Sequence, residues 1–180
     1  MVRAPPGAGG ASPATRTVVT RWYALAAVVL VADQATKLWV LMVLERGLSV
    51  PVLPFLSWTH ACNDGVAFSM FRGYGWVFAP VAVAVSGYLA WEIWRLRRRE
   101  ATTLVQLEGA AYGLVMAGAL GNVLDRFTQG GCVVDFIHVH YGWFNFPVFN
   151  VADSAVTVGA ATWIGLLVAQ MIDERRRRAA

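Results

Sequence analysis

Charged residues are scarce in this 180-residue sequence, and their scarcity excludes an ordinary soluble domain. They make up 14% of the chain, whereas 57% of the residues are hydrophobic; soluble domains carry about 25% charged residues. Motifs for metal or covalent chemistry are lacking too, since there is no Cys-x-x-Cys, no His-Glu-x-x-His and no serine in a nucleophile elbow. We therefore expect neither a metal nor a cofactor.

Cysteine is almost absent. The sequence contains only Cys62 and Cys132, and a sequence does not give the distance on which a disulfide depends. The two side chains are either bridged or buried separately as small apolar groups. The residue type alone favours the second interpretation.

Long apolar stretches are what the sequence has instead. Four of them approach or exceed the roughly 20 residues that a membrane helix needs, at residues 22–44, 74–94, 104–127 and 151–172. We predict an all-α membrane protein with four transmembrane helices, in a single domain over residues 21–174. Residues 1–20 are rich in Pro, Gly, Ala and Thr and are predicted to be a disordered tail, and residues 175–180 a basic tail. A cleaved signal peptide is the alternative for the first stretch, but the apolar run resumes after Lys37 and reaches the length of a span.

The basic residues predict the orientation. Of the 15 lysines and arginines, eleven lie in the N-terminal tail, the loop between spans two and three, and the C-terminus. Basic residues concentrate on the cytoplasmic side of a membrane, so both termini are expected in the cytoplasm. Arginine clusters beside apolar segments are topological signals, and we expect no nucleic-acid partner despite the net charge of +4.

Two segments lie on the opposite, outer side. Residues 48–56 alternate aliphatic residues with Pro51 and Pro54, which favours short edge strands over a helix. Residues 128–148 carry aromatic side chains that suit a membrane interface. We expect a small extracytoplasmic region of strands and loops here, and we hypothesise that these two segments form the walls of a peptide-binding site.

Polar residues cluster around the outer ends of the spans. Asp33 and Lys37 are four residues apart, so they share one helical face and can form an ion pair. The segment from Asn63 to Gly65 is either an Asx-type turn or a loop whose amide orients a ligand. Because ionisable groups are costly in lipid, these side chains are expected to point into the bundle.

The spacing Asn-x-x-Asp occurs twice, at Asn122–Asp125 and at Asn150–Asp153. It places an amide beside a carboxylate on one helical face. Helix capping could explain the second pair, but not Asp125, which lies near a helix C-terminus where an anion is disfavoured. Asp135, in a run of apolar residues, has no capping role either.

Crowded aspartates in a half-dry site cannot all ionise, and a pair that shares a proton can activate water against an amide carbonyl. An aspartyl hydrolase and a transporter with a carboxylate relay are both compatible with this chemistry. The carboxylates gather at one face instead of crossing the membrane, which favours the hydrolase.

These motifs resemble the lipoprotein signal peptidases, or signal peptidase II, which are four-helix aspartic peptidases of the bacterial inner membrane. The resemblance rests on Asp33-Gln34-Ala35-Thr36-Lys37, Asn63-Asp64-Gly65-Val66-Ala67-Phe68, Gly118-Ala119-Leu120-Gly121-Asn122-Val123-Leu124-Asp125-Arg126, Val133-Val134-Asp135-Phe136 and Phe149-Asn150-Val151-Ala152-Asp153-Ser154.

The resemblance implies that Asp135 and Asp153 are the catalytic pair, with Asp125 as the competing candidate that the residues alone leave open. We interpret Asp125 as structural, paired with its neighbour Arg126. The supporting and substrate-binding residues implied are Asp33, Lys37, Asn63, Gly65, Phe68, Gly121, Asn122, Asp125, Arg126, Asn150 and Ala152. The implied partners are membrane lipid and prolipoproteins carrying a diacylglyceryl cysteine, which a monomer would cut on the N-terminal side of that cysteine. Globomycin, a cyclic peptide, blocks such enzymes.

Overall fold

The computed structural model describes residues 13–65, 73 and 75–179, and for residues 13–18 the backbone alone. The elements in chain order are α1 (Pro13–Val43), β1 (Ser49–Leu53), β2 (Leu56–Asn63), α2 (Gly75–Arg95), a 3-10 helix (Leu96–Arg98), α3 (Thr103–Thr128), β3 (Val133–Tyr141), β4 (Phe144–Asn145) and α4 (Val151–Ala179). The predicted tail over residues 1–12 and the predicted site residue Phe68 lie outside the described residues.

The four long helices in the described part of the chain confirm the predicted all-α membrane fold. Each contains a stretch long and apolar enough to cross a membrane. The predicted tails differ from the structure at both ends. Residues 13–20 are helical, and Pro13 stands at the first position of the helix, where proline is tolerated. Residues 175–179 continue α4, where arginine is a good helix former and Arg177 pairs with Asp173 one turn earlier.

Helix α3 is the centre of the bundle. Half of its span is buried inside the protein, compared with 11–22% of the other spans. Its small residues permit the close approach that drives helix association in lipid. A β-carbon at Gly118 would collide with the main-chain carbonyl of Ala152, and one at Gly113 would lie 2.9 Å from that of Trp22. Glycine at these positions therefore lets α1 and α4 pack directly on the α3 backbone.

The strands form one antiparallel sheet in the order β1-β2-β3-β4, which confirms the predicted β-rich region. Strand β1 contains Pro51 and lies at the edge, where a residue without an N–H group is tolerated. Phe136 and Val134 of β3 pack with Val40 of α1 and with Leu44, the residue after α1, in one apolar cluster. The sheet is therefore anchored to the end of the first helix.

Residues 146–149 connect β4 to α4 and run beside β3. The carbonyl of Phe149 accepts hydrogen bonds from the main-chain N–H groups of Phe136 (3.0 Å) and Ile137 (2.7 Å), and Phe149 donates to the carbonyl of Ile137 at 3.0 Å. This pairing places the start of α4 directly beside Asp135.

Cys62 and Cys132 form a disulfide with a Cα–Cα distance of 5.5 Å. The expectation of two separate thiols was therefore wrong. The register of β2 on β3 pairs Cys62 with Val134 and Asn63 with Val133, which brings the end of one strand next to the beginning of the other. Strand register between residues 70 positions apart is a tertiary property that spacing does not reveal.

Candidate functional site

The first of two polar groups at the sheet end of the bundle is the lysine cluster, which consists of Asp33, Gln34, Lys37 and Asp125. The Lys37 ammonium lies 2.8 Å from Asp33 Oδ2 and 2.9 Å from Asp125 Oδ2. Gln34 Nε2 donates to Asp125 Oδ1 at 2.9 Å. Both carboxylates and the lysine are at least 97% buried. The predicted Asp33–Lys37 ion pair is confirmed, and Asp125 makes it a three-membered group.

Asp125 binds Lys37, so its predicted pairing with the neighbouring Arg126 was wrong. Its Oδ2 atom also accepts a hydrogen bond from the main-chain N–H of Val134 at 3.0 Å. Arg126 donates instead to the carbonyls of Asn122 (3.1 Å) and Gly65 (2.8 Å). Adjacent helical side chains point in different directions, so Asp125 faces α1 and β3 while Arg126 faces the end of β2.

Asp33 fastens α1 to α4. Its Oδ1 atom accepts a hydrogen bond from the main-chain N–H of Ala152 at 2.8 Å, at a helix N-terminus that favours a negative charge. A β-carbon at Gly121 would lie 2.6 Å from Asp33 Oδ2. A larger residue at this position would displace the Asp33 carboxylate, and Ala152 is completely buried at the same junction.

The second polar group is the amide-held pair, Asp135 and Asp153. Asp135 accepts hydrogen bonds from Asn63 Nδ2 at 3.0 Å and from Asn150 Nδ2 at 2.7 Å. Asp153 accepts from Asn122 Nδ2 at 2.8 Å and from the main-chain N–H of Asn150 at 3.3 Å. Asn150 therefore binds both carboxylates, and the structure brings these two predicted residues to one place.

Asn150 also caps α4. Its Oδ1 atom accepts from the main-chain N–H of Asp153 at 2.8 Å, while Asp153 accepts from the main-chain N–H of Asn150, which is the reciprocal arrangement of a capping box. The capping interpretation of the Asn150–Asp153 spacing is therefore confirmed, and both residues also belong to the hydrogen-bonded group around Asp135. Because its side chain makes local and long-range bonds at once, Asn150 ties the helix start to β3.

The two groups meet at Asn122. Its Oδ1 atom accepts from Lys37 Nζ at 3.0 Å and from Asn150 Nδ2 at 3.1 Å, and its Nδ2 atom donates to Asp153. This orientation is fixed by the lysine, which can only donate. Asn122 therefore presents a donor to the amide-held pair because Lys37 occupies its acceptor.

At the end of β2 the structure confirms the Asx-turn alternative, whereas the alternative in which the amide orients a ligand stays a prediction. Asn63 Oδ1 accepts from the main-chain N–H of Gly65 at 3.1 Å, which is an Asx turn. The same side chain orients its Nδ2 donor toward Asp135. Arg126 holds Gly65 by its carbonyl, so the turn is bound from two sides.

Burial, followed by the negative charge of Asp153, raises the pKa of Asp135 from 3.8 to about 7. The hydrogen bond from Asn63, the charge of Lys37 and the hydrogen bond from Asn150 lower this pKa, but they do not offset the first two effects. Asp135 therefore retains a proton up to about neutral pH, as expected for one member of a close carboxylate pair.

A cavity of about 600 Å³ adjoins the amide-held pair. Its polar end includes Asn63, Asn122, Arg126 and Asp153. The rest comes from α2, α3, β3, the segment 146–149 and α4. It is apolar except for Ser154 and Thr157, and its apolar residues are Phe78, Ala82, Ala119, Val133, Phe146, Pro147, Val148, Phe149, Val156 and Val158. Among the described residues, Asp153 lines the cavity and Asp135 lies behind it, 2% exposed.

Two features of the site were not predicted. Gln34 belongs to the lysine cluster, and its position next to Asp33 was the available signal. The apolar lining could not be distinguished in sequence from lipid-facing residues. Of the two segments hypothesised as walls, residues 128–148 contribute Val133 and residues 146–148 to the cavity. The described lining includes nothing from residues 48–56, because β2 separates β1 from β3.

The chain is similar to known proteins in sequence and in fold. A family model described as signal peptidase (SPase) II matches residues 25–170. The lipoprotein signal peptidase of Polynucleobacter necessarius is 43% identical over 145 residues, covering 78% of this chain and 85% of that protein. The lipoprotein signal peptidase of Shewanella loihica is 39% identical over 160 residues, covering 87% and 89%.

Two solved structures are similar in fold. One bacterial membrane enzyme, solved by the in meso method at 2.3 Å resolution, has a TM-score of 0.74 and 30% identity over 84% of this chain and 90% of that chain. Another, solved at 1.9 Å resolution, has a TM-score of 0.67 and 32% identity over 82% and 92%. Since the family model spans both polar groups and most of the chain, this protein belongs to the signal peptidase II family of bacterial membrane peptidases.

Proposed function

We propose that this peptidase removes the signal peptide from diacylglyceryl-modified prolipoproteins, cutting on the N-terminal side of the lipidated cysteine. The observation that carries the proposal is the amide-held pair at the polar end of a largely apolar cavity. An extended peptide with acyl chains needs an apolar surface beside a hydrolytic centre, and the cavity combines them.

In the proposed mechanism Asp135 and Asp153 are the catalytic residues. Asp153, which lines the cavity, takes a proton from a water molecule, and the water oxygen attacks the scissile carbonyl carbon. Asp135 gives its proton to the carbonyl oxygen, which forms a neutral tetrahedral diol. Collapse of the diol returns a proton to Asp135, and Asp153 protonates the leaving nitrogen, so the pair regains its starting state.

The other polar residues have supporting roles in this proposal. Asn63, Asn122 and Asn150 donate to the carboxylates and set their directions. Asp33, Lys37, Gly121, Asp125, Arg126 and Ala152 hold the helices and β3 around them, and Gly65 fixes the Asn63 turn. These residues supply preorganisation, which accounts for a large part of enzymatic rate enhancement.

We further propose that both termini are cytoplasmic and that the site lies near the outer face of the inner membrane, in a monomer surrounded by lipid. The support is the position of the arginines, which follow α2 and end α4 at the far side from the sheet. The exposed aromatic side chains of Tyr141, Trp143 and Phe144 are suited to the interface between lipid and water.

The test is cleavage of a diacylglyceryl-modified precursor by the purified protein. We expect the signal peptide to be released, globomycin to block the release, and EDTA to leave it unchanged. An intact precursor would contradict the proposal, and it is the result that the transporter alternative predicts. Inhibition by EDTA would contradict the metal-free mechanism.

Residues 141–146 supply a separate test of the cavity wall. Phe146 lines the cavity, and the hairpin that carries it projects from the sheet with Trp143 95% exposed. Deleting residues 141–146 is expected to impair cleavage while the protein remains folded in detergent. Unchanged processing would show that this segment does not hold the substrate.

A further inference from the structure

The Cys62–Cys132 disulfide lies close to Asp135. Cys62 is the penultimate residue of β2 and is followed by Asn63, whose side chain binds Asp135. Cys132 immediately precedes β3, the strand that carries Asp135 three residues later. Both cysteines are half-buried. The disulfide therefore joins the two chain segments that supply a carboxylate and its amide donor.

Strand geometry relates the disulfide to the hydrogen bond. Asn63 is opposite Val133 and Cys62 is opposite Val134 in the β2–β3 register. Successive side chains alternate between the faces of a strand, so Asn63 and Asp135 share one face and Cys62 points to the other. The disulfide and the Asn63–Asp135 hydrogen bond thus lie on opposite faces of the same strand pair, at its end.

Asn63 needs this restraint because it is the last residue of β2. The chain leaves the sheet immediately afterwards through the Asx turn to Gly65. Strand ends open more easily than strand centres. A covalent bond at the neighbouring position keeps the end of β2 against β3.

We propose that the Cys62–Cys132 disulfide is a positioning element of the peptidase site, which fixes Asn63 against Asp135 and makes cleavage sensitive to thiol reductants. This inference rests on the proposed function, which gives Asp135 its role and places the sheet on the oxidising side of the membrane. Reduction transfers two electrons and two protons from two reductant thiols to the bridge, giving two cysteine thiols and the oxidised reductant disulfide.

Loss of the bridge affects chemistry more than binding. A loosened Asn63 donates a weaker hydrogen bond to Asp135, and that bond lowers the pKa of Asp135. The pKa should therefore rise in reduced protein. The charged groups around Asp135 are Asp153, Lys37 and Arg126, and reduction alters none of their charges. We expect kcat to fall about tenfold with little change in KM, as for a misplaced catalytic group.

The experiment compares the wild type, with and without dithiothreitol, with the double variant Cys62→Ser/Cys132→Ser. Alkylation and mass spectrometry of the untreated protein should show that neither cysteine reacts with the alkylating agent. Dithiothreitol should lower kcat of the wild type to the level of the double variant, and it should not affect the double variant. The infrared band of protonated Asp135, assigned with Asp135→Asn, should persist to higher pH after reduction.

Combining Asn63→Ala with reduction by dithiothreitol provides the decisive test. If the disulfide acts through Asn63, dithiothreitol should have no further effect on kcat of the Asn63→Ala protein. Free thiols in the untreated protein, full activity after reduction, or additive effects of dithiothreitol and Asn63→Ala would each overturn the inference. Failure of the untreated wild type to cut the precursor would instead contradict the proposed function, and the alkylation and infrared results would still test the bridge.

Discussion

The lysine cluster and the amide-held pair are connected through Asn122, yet their carboxylates have opposite surroundings. Asp33 and Asp125 both contact the Lys37 ammonium, and each accepts a main-chain N–H, from Ala152 and Val134 respectively. Asp135 and Asp153 are bound by the amides of Asn63, Asn122 and Asn150. One group is compensated by a positive charge and the other by neutral donors.

We propose that the difference separates a structural role from a chemical one. An ammonium beside a buried carboxylate compensates its charge, and such a pair suits a structural role. Neutral amides orient a carboxylate without fixing its charge, so two such carboxylates near each other retain one proton between them. Aspartates occur at positions 33, 64, 125, 135 and 153, and in the proposed function their partners decide which of them perform acid–base catalysis.

The largest effect should come from removing either member of the amide-held pair. Asp135→Asn and Asp153→Asn are each expected to lower kcat/KM by a factor of at least about 1,000, because one carboxylate cannot both hold and accept the shared proton. Cleavage of the lipidated precursor measures the loss, and the unfolding temperature in detergent serves as the control. Substantial activity in either variant would refute the assignment.

Lys37→Met tests the lysine cluster. It leaves two buried carboxylates without their cation, and breaking a buried ion pair in this way costs about 3–5 kcal/mol. Unfolding in detergent should report this loss. Arg95→Met is the matched control, since the Arg95–Glu92 pair is also within one helix but its arginine is 52% exposed; exposed pairs contribute about 0–1 kcal/mol. Equal losses of stability in the two variants would contradict the structural role proposed for the lysine cluster.

Asp125→Asn should have a smaller effect on cleavage. Asparagine keeps an acceptor for the N–H of Val134 but loses the charge that binds Lys37. We expect a loss of about 1–3 kcal/mol in stability and less than about tenfold in kcat/KM. If Asp125→Asn instead matched Asp135→Asn in activity while folding normally, Asp125 would belong to the catalytic pair.

The raised pKa of Asp135 predicts a smaller effect, a dependence of stability and cleavage on pH. This pKa is raised from 3.8 to about 7. Between pH 3.8 and about 7, Asp135 therefore holds a proton in the folded protein and has lost it in the unfolded chain. The contribution of Asp135 to stability is complete below pH 3.8 and is lost as the pH rises through about 7. Cleavage should decline over the upper part of the same range, as the shared proton is lost.

Unfolding measured against pH should show this slope in the wild type, and Asp135→Asn should abolish the contribution. Asp153→Asn removes the negative charge that raises the pKa of Asp135, so the infrared band of protonated Asp135 should disappear at lower pH than in the wild type. An unchanged band position would show that the two carboxylates do not interact.

The sequence by itself determined the features that depend on local composition and spacing. Apolar length fixed the four spans, because a bilayer requires it. The Asp33–Lys37 pair and the Asn150–Asp153 cap follow from contacts within one or two helical turns, which a sequence encodes directly. The clustering of polar residues at span ends made Asp125, Asp135 and Asp153 candidates, and the choice of Asp135 and Asp153 among them rested on the family resemblance.

Only the tertiary structure decided which groups meet across the fold. Lys37 as the partner of Asp125, the Cys62–Cys132 disulfide and the cavity wall at residues 146–149 depend on the rotation of α1 about its axis and on the register of β2 with β3. A one-residue change in register moves every side chain of a strand to the opposite face of the sheet. The residues next to it in sequence do not indicate which register is adopted. Contacts between elements that are distant in the sequence fix these choices, and with them the surroundings of each aspartate.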